Sequence, residues 1–230
     1  MSAPLSAFAS LDALRDEICR VGRSLFERGY VHATAGNISV RVPVALGGGY
    51  LITPTDACLG FLQPAALAWV AEDGQQHSGE RASKTLQLHR RIYAADAQAH
   101  CVIHTHSTHL VAWSLRPGTA GVEWLPPITP YFVMKVGRVP LIAYHRPGDT
   151  AAADQVALHI AQAAAAGRRL HAVMLERLGP NVWHQSPAAA MAVLEELEET
   201  ARLCHLVQPL PAPLSDHQID DLRRHFDAPW

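Results

Sequence analysis

Cys101-Val102-Ile103-His104-Thr105-His106 sets two imidazoles one residue apart at the end of an apolar run. Val102 and Ile103 are β-branched, and the run predicts a buried strand. Alternate side chains of a strand share a face, so His104 and His106 are expected to point the same way. Two neutral imidazoles side by side can chelate a transition-metal ion. Such a site needs a third protein ligand, which this spacing does not supply. The same pair also reads as two surface histidines at a strand end. A second chemistry lies in three short polar pieces. Thr34-Ala35-Gly36-Asn37 has the small and hydroxyl residues of a backbone nest that binds phosphate. Thr53-Pro54-Thr55-Asp56 would add hydroxyl donors, and Ser83-Lys84, at a helix start, a hydroxyl, a charge and free N–H groups. Each piece taken singly is also ordinary turn chemistry.

These residues need elements to hold them. Leu11, Leu14, Ile18, Val21 and Leu25 recur at helical spacing, with Ser10 as N-cap and Gly29 as stop. Strands are expected over 38–42, 50–53 and 67–71, with turns at the glycines 47–49 and at Asp73-Gly74. A helix is expected over 84–95, then the histidine strand over 101–105 and another strand over 141–144. Pro147-Gly148-Asp149 turns into a helix over 150–166. Residues 172–175 and 181–184 form a strand pair around Gly179-Pro180. Helices over 187–207 and 215–226 follow, the first with Pro187 in its opening turn, where the missing N–H costs nothing. Short strands between helices at both ends predict an α/β sandwich whose central sheet is mostly antiparallel.

Composition narrows the function. The chain has 230 residues, enough to bury a core without disulfides, and no linker or low-complexity tract divides it, so residues 1–230 are read as one domain. Lys and Arg number 19 against 21 Asp and Glu, which gives no electrostatic reason to expect nucleic acid or an anionic membrane as partner. Cys19, Cys58, Cys101 and Cys204 form no close pair and read as reduced thiols of a cytoplasmic protein. Neither a signal peptide nor a membrane span is visible.

Thr34-Ala35-Gly36-Asn37-Ile38-Ser39, Leu51-Ile52-Thr53-Pro54-Thr55 and His104-Thr105-His106-Ser107 together resemble the class II aldolase/adducin superfamily, which includes fuculose-phosphate aldolases and ribulose-phosphate epimerases. Leu125-Pro126-Pro127-Ile128-Thr129-Pro130-Tyr131, Val136-Gly137-Arg138, Arg146-Pro147-Gly148-Asp149 and 195–201 resemble its 3-oxo-tetronate 4-phosphate decarboxylase branch. The resemblance implies a metal-assisted lyase acting on a small phosphorylated sugar acid through an enediolate. It implies a divalent metal, usually zinc, on three histidines, two of them matched by His104 and His106. Gly36, Asn37, Thr55 and Ser83 fall at its phosphate positions, and Lys84 matches a lysine of the decarboxylase branch. Tyr131 falls where the aldolases send a tyrosine into the neighbouring subunit's site. A homotetramer with sites between subunits is implied as well.

Two positions depart from that pattern. The superfamily's third metal histidine precedes Gly-Pro, where this chain reads Glu176-Arg177-Leu178-Gly179-Pro180. Its acidic proton-transfer residue follows the lysine, where this chain has Thr85. Leucine has no lone pair to donate, so the metal is expected to be weakly held, absent, or completed by another histidine, with His109, His145, His171 and His184 as candidates. The alternative to a lyase is a divergent member that has lost catalysis or changed its chemistry.

Overall fold

The computed structural model describes residues 8, 10–116 and 124–230. Helix α1 (Leu11–Glu27) starts where the Ser10 side chain accepts from the Ala13 N–H, at 3.1 Å. It leads into β1 (Asn37–Arg41), β2 (Tyr50–Ile52), β3 (Ala68–Val70) and β4 (Gln76–Ser78). Then come α2 (Leu86–Ala95), β5 (Cys101–His104), α3 (Thr108–Ser114) and a π-helical turn over Phe132–Val136. The chain continues through β6 (Leu141–Ile142), α4 (Thr150–Ala165), β7 (Ala172–Leu175), β8 (Gly179–His184), α5 (Pro187–Leu206) and α6 (Asp216–Phe226).

The strands form one eight-stranded sheet in the order β4-β3-β2-β1-β5-β8-β7-β6. Every neighbouring pair is antiparallel except β6 with β7. The expected helical layers and mostly antiparallel sheet are therefore what the chain builds. Boundaries shift by a residue or two. The sequence reading did not pick out β4 or the π-helical turn. Strand β4 is exposed along its length, so it carries no apolar signal.

Alternation sorts the strand residues between two layers. Ile38, Val40, Cys101, Ile103 and Val182 pack toward α1 and α5, where Leu14, Ile18, Leu194 and Leu197 are fully buried. Ile52, Val102, Val173 and Trp183 face the other way, onto Ile92 and Tyr93 of α2 and Val156 and Ile160 of α4. Each such aliphatic side chain contributes roughly 1.5–3 kcal/mol by leaving water. His104 lies two residues beyond Val102 and so falls on the α2/α4 side.

Candidate functional site around the paired histidines

His104 ends β5 and is 5% exposed. Its Nδ1 lies 2.8 Å from the Pro180 carbonyl oxygen. A carbonyl can only accept, so Nδ1 carries the proton and Nε2 keeps its lone pair. His106 lies past the strand end and is half-buried. The two rings still meet, nearly edge to face, with centroids 5.1 Å apart. Burial, and then the neighbouring His106, push His104 down to about 4. Burial and the charge of His32 lower His106 as well. His104 is therefore neutral at pH 7, the state a ligand or hydrogen-bonding group needs. His32 escaped the sequence reading because it sits outside the motif spacing.

The turn after β7 is pressed against this pair. A Cβ on Gly179, at φ +146°, would lie 1.9 Å from the Thr105 carbonyl oxygen, so only glycine fits there. Arg177 is held at φ +64°, and the Leu178 N–H donates to the Leu175 carbonyl at 3.1 Å. Leu178, at the expected ligand position, packs against the α2/α4-side core. Two residues in the left-handed half of φ space thus flank a leucine beside the histidines, and such conformations concentrate at functional sites.

A polar row crosses the centre of the sheet. Asn37 of β1 and Asn181 of β8 are the cross-strand neighbours of His104, so all three side chains share a face. Asn37 Oδ1, Asn181 Nδ2 and His89 Nε2 are buried and have no hydrogen-bond partner among the described residues. His89 Nδ1 lies 2.8 Å from Ser39 Oγ, which lies 2.7 Å from Tyr93 OH. Burial, with His104 nearby, pushes His89 down to about 3. Asn181 and His89 were missed by sequence reading, and Ser39 entered it only as the end of the Thr34–Ser39 motif. The available signals were a polar residue within the β8 strand pattern and the four-residue spacing that places His89 below Thr85 on α2.

The expected anion positions form a strip beside this row. Gly36 has φ +92°, and a Cβ there would lie 2.7 Å from the His104 carbonyl oxygen. The Ile38 N–H donates to Thr53 Oγ1 at 3.2 Å. Thr55 Oγ1 donates to the Ala82 carbonyl at 3.0 Å, so its proton is engaged. The Ser83 N–H donates to the Thr53 carbonyl at 3.3 Å, and Ser83 Oγ lies 2.8 Å from Thr85 Oγ1. Thr53 thus links Ile38, the neighbour of Asn37, with Ser83, and Lys84 is exposed next to Ser83. Tyr131 is 58% exposed, and no hydrogen bond or ring contact among the described residues joins it to the histidines. Its segment is anchored instead by Thr129, which accepts from the Phe132 N–H and bonds the Glu196 side chain.

The other candidate third ligands lie elsewhere. His109 is engaged by the buried Glu198 carboxylate at 2.8 Å. His145 lies 4.0 Å from Asp149, and His171 stacks on His184 with centroids 4.8 Å apart.

The profile of the class II aldolase and adducin N-terminal domain matches residues 16–205. The chain belongs to this family. The 3-oxo-tetronate 4-phosphate decarboxylase of Cupriavidus necator is 53% identical over 222 residues, covering 94% of this chain and 97% of that protein. The crystal structure of YgbL from Escherichia coli is similar at a TM-score of 0.84 and 37% identity, covering 93% of this chain and 99% of that one. The L-fuculose phosphate aldolase of Methanocaldococcus jannaschii is more distant, 31% identical over 62% of this chain and 74% of that protein. Two of these relatives are named a decarboxylase and an aldolase, which supports the expectation of a lyase.

Class II aldolases usually rely on a divalent metal. The residues here do not fit a three-ligand centre. Among the described residues, no three His, Cys, Asp or Glu side chains come together to hold an ion. His104 offers a tautomer-fixed Nε2 and His106 a second imidazole, and Leu178, which has no lone pair to donate, stands at the expected position of the third ligand.

Proposed function

We propose that this chain is a carbon–carbon lyase that decarboxylates a small phosphorylated sugar acid, in the first instance a 3-oxo-tetronate 4-phosphate. The observation that carries this reading is the neutral His104 pair abutting the polar strip of Gly36, Asn37, Thr55 and Ser83. The identity with the Cupriavidus necator decarboxylase supports the choice of substrate. In this reading the strip and Lys84 bind the phosphate, and the β-keto acid lies toward the histidines. The bond to the carboxylate carbon breaks, carbon dioxide leaves, and its electron pair passes into an enediolate. Hydrogen-bond donors at His106 and Lys84 stabilise the developing oxyanion. Lys84 or Tyr131 then returns a proton to carbon, Tyr131 reaching in from the next copy of a homotetramer. Decarboxylation suits a site with Thr85 in place of an acid, because no proton must be removed first. A divalent ion such as zinc would find two imidazoles here and complete its sphere with water and substrate; none of these steps runs through it. The free thiols fit a cytoplasmic setting, and no described helix is long and apolar enough to cross a membrane.

Leu178 and Thr85 support a second reading, a member that binds the phosphorylated acid without turning it over. Carbon dioxide release from 3-oxo-tetronate 4-phosphate, beside calorimetric binding of the same compound, separates the two. Release that falls at least tenfold in Asn37→Ala supports the lyase. Binding without release supports the second reading, and neither binding nor release refutes both.

A further inference from the structure

A separate cleft of about 720 Å³ lies between the π-helical turn, the end of α4 and helix α6. Its volume is in the range of small-molecule sites. Its walls carry Lys135, Arg168, Arg169, Arg223 and Arg224 against the carboxylates of Asp220 and Asp227. Arg223 is partly neutralised by Asp220 at 3.2 Å, and Arg224 by Asp221 at 3.7 Å. Among the described residues no salt bridge holds Lys135, Arg168 or Arg169, and the charge of Lys135 also reaches the Glu196 carboxylate. Like charges brought together from three elements repel one another, and a counter-anion relieves that repulsion.

The position of these cations is defined by the fold. Helix α4 ends in a turn where Gly167, at φ +69°, and Arg168 donate their N–H groups to Ala164 and Ala163. That turn delivers the two arginines side by side. Helix α6 presents Arg223 and Arg224 from the facing wall. His171 and His184 line the cleft as a nearly parallel ring pair, 18° apart in plane. His171 Nδ1 is buried without a hydrogen-bond partner among the described residues. The charge of Arg169 acts on both rings, and that of Lys135 on His184, which places both cations toward the pair. His184 pairs with Cys101 and not with His104. It stands three residues along β8 from Asn181, about 10 Å away and on the opposite face. The cleft is therefore distinct from the candidate active site.

We propose that this cleft is a second binding site, taking a phosphate-bearing anion with two or more negative charges. Arginine forks match phosphoryl oxygens in pairs, and the stacked imidazoles give a flat wall with one free polar atom. The assignment does not depend on the reading of the His104 pocket.

Calorimetric titration of the full chain with pyrophosphate, and separately with ATP, tests it. Variants are the surface pair Lys135→Ala with Arg169→Ala, and, as a control for the other pocket, Asn37→Ala. The cleft predicts at least one class of binding that weakens tenfold or more in the Lys135/Arg169 variant and survives Asn37→Ala. Three results overturn it. One is a single class lost in Asn37→Ala and untouched by the cleft variant. Another is equal weakening when Arg90 and Arg91, remote surface arginines, are changed instead. The third is a cleft variant whose molecular mass by light scattering differs from that of the parent, which makes the cleft an interface between copies.

Discussion

Leu178→His should restore a metal centre. The turn that carries position 178 is already fixed against the histidines, by Arg177 at φ +64° and by Gly179 lying over the Thr105 carbonyl. A third imidazole there needs little backbone rearrangement. A structural zinc site is worth about 10–16 kcal/mol in total, so one ligand of four accounts for roughly 3–4 kcal/mol. That corresponds to about 10²–10³ in affinity at pH 7. Losing the packing of Leu178 against the α2/α4-side core costs on the order of 1 kcal/mol, which falls on fold stability and not on the metal. The assay is zinc competition against a chromophoric chelator for the parent, Leu178→His and Leu178→Ala. The alanine variant removes the leucine without adding a ligand. Affinity should rise by about two orders of magnitude in the histidine variant alone. If Leu178→His binds zinc no more tightly than Leu178→Ala, position 178 does not face the pair and the reasoning fails.

Glu198 is buried and accepts from the His109 and Leu110 N–H groups and from the His109 ring, so Glu198→Ala should cost about 3 kcal/mol and lower the melting temperature by roughly 6–12 °C; an unchanged melt would show that the carboxylate does not hold the start of α3. Gly179→Ala should destabilise the fold and disturb the His104 and His106 ring resonances, since its methyl must displace the Thr105 carbonyl; wild-type chemical shifts for both rings would contradict this. Burial holds His89 near 3 and His171 near 4, below an ordinary imidazole near 6.5. Below pH 6.5 the unfolded chain binds protons that the folded chain refuses. Stability from these groups is therefore complete above 6.5 and lost as pH falls toward 4, at up to about 1.4 kcal/mol per pH unit for each. Denaturant titrations showing constant stability from pH 6.5 to 4.5 would count against it.

The fold was legible where periodicity was strong. Helix α1 and the Ser10 cap, the β1 and β2 hairpin, and the long α5 follow directly from apolar spacing and stop signals. Strand β4 was not, because an exposed edge strand is specified by its neighbour's backbone and not by its own side chains. The two histidine rings were expected to share a strand face; they meet with centroids 5.1 Å apart, but His106 has already left the strand. The anion pieces were legible as turn chemistry, and Thr53 bonds both Ile38, beside Asn37, and Ser83. Asn181 and His89 were not legible, because their importance lies in register across strands and in the missing partners of buried atoms. Neither property has a local sequence signature.

The row Asn37–His104–Asn181 has a consequence for how the protein comes into being. Its three members occupy adjacent central strands but widely separated parts of the chain. Closing such contacts means fixing long loops before any reward arrives, which slows folding and raises the topological complexity of the native state. The polar row therefore exists only once the middle of the sheet has zipped. A chain cut anywhere between β1 and β8 loses it entirely. In a ribosome-bound chain the row cannot form until β8 has emerged. The row is thus a readout of the joined central strands, acquired in one step rather than matured in stages.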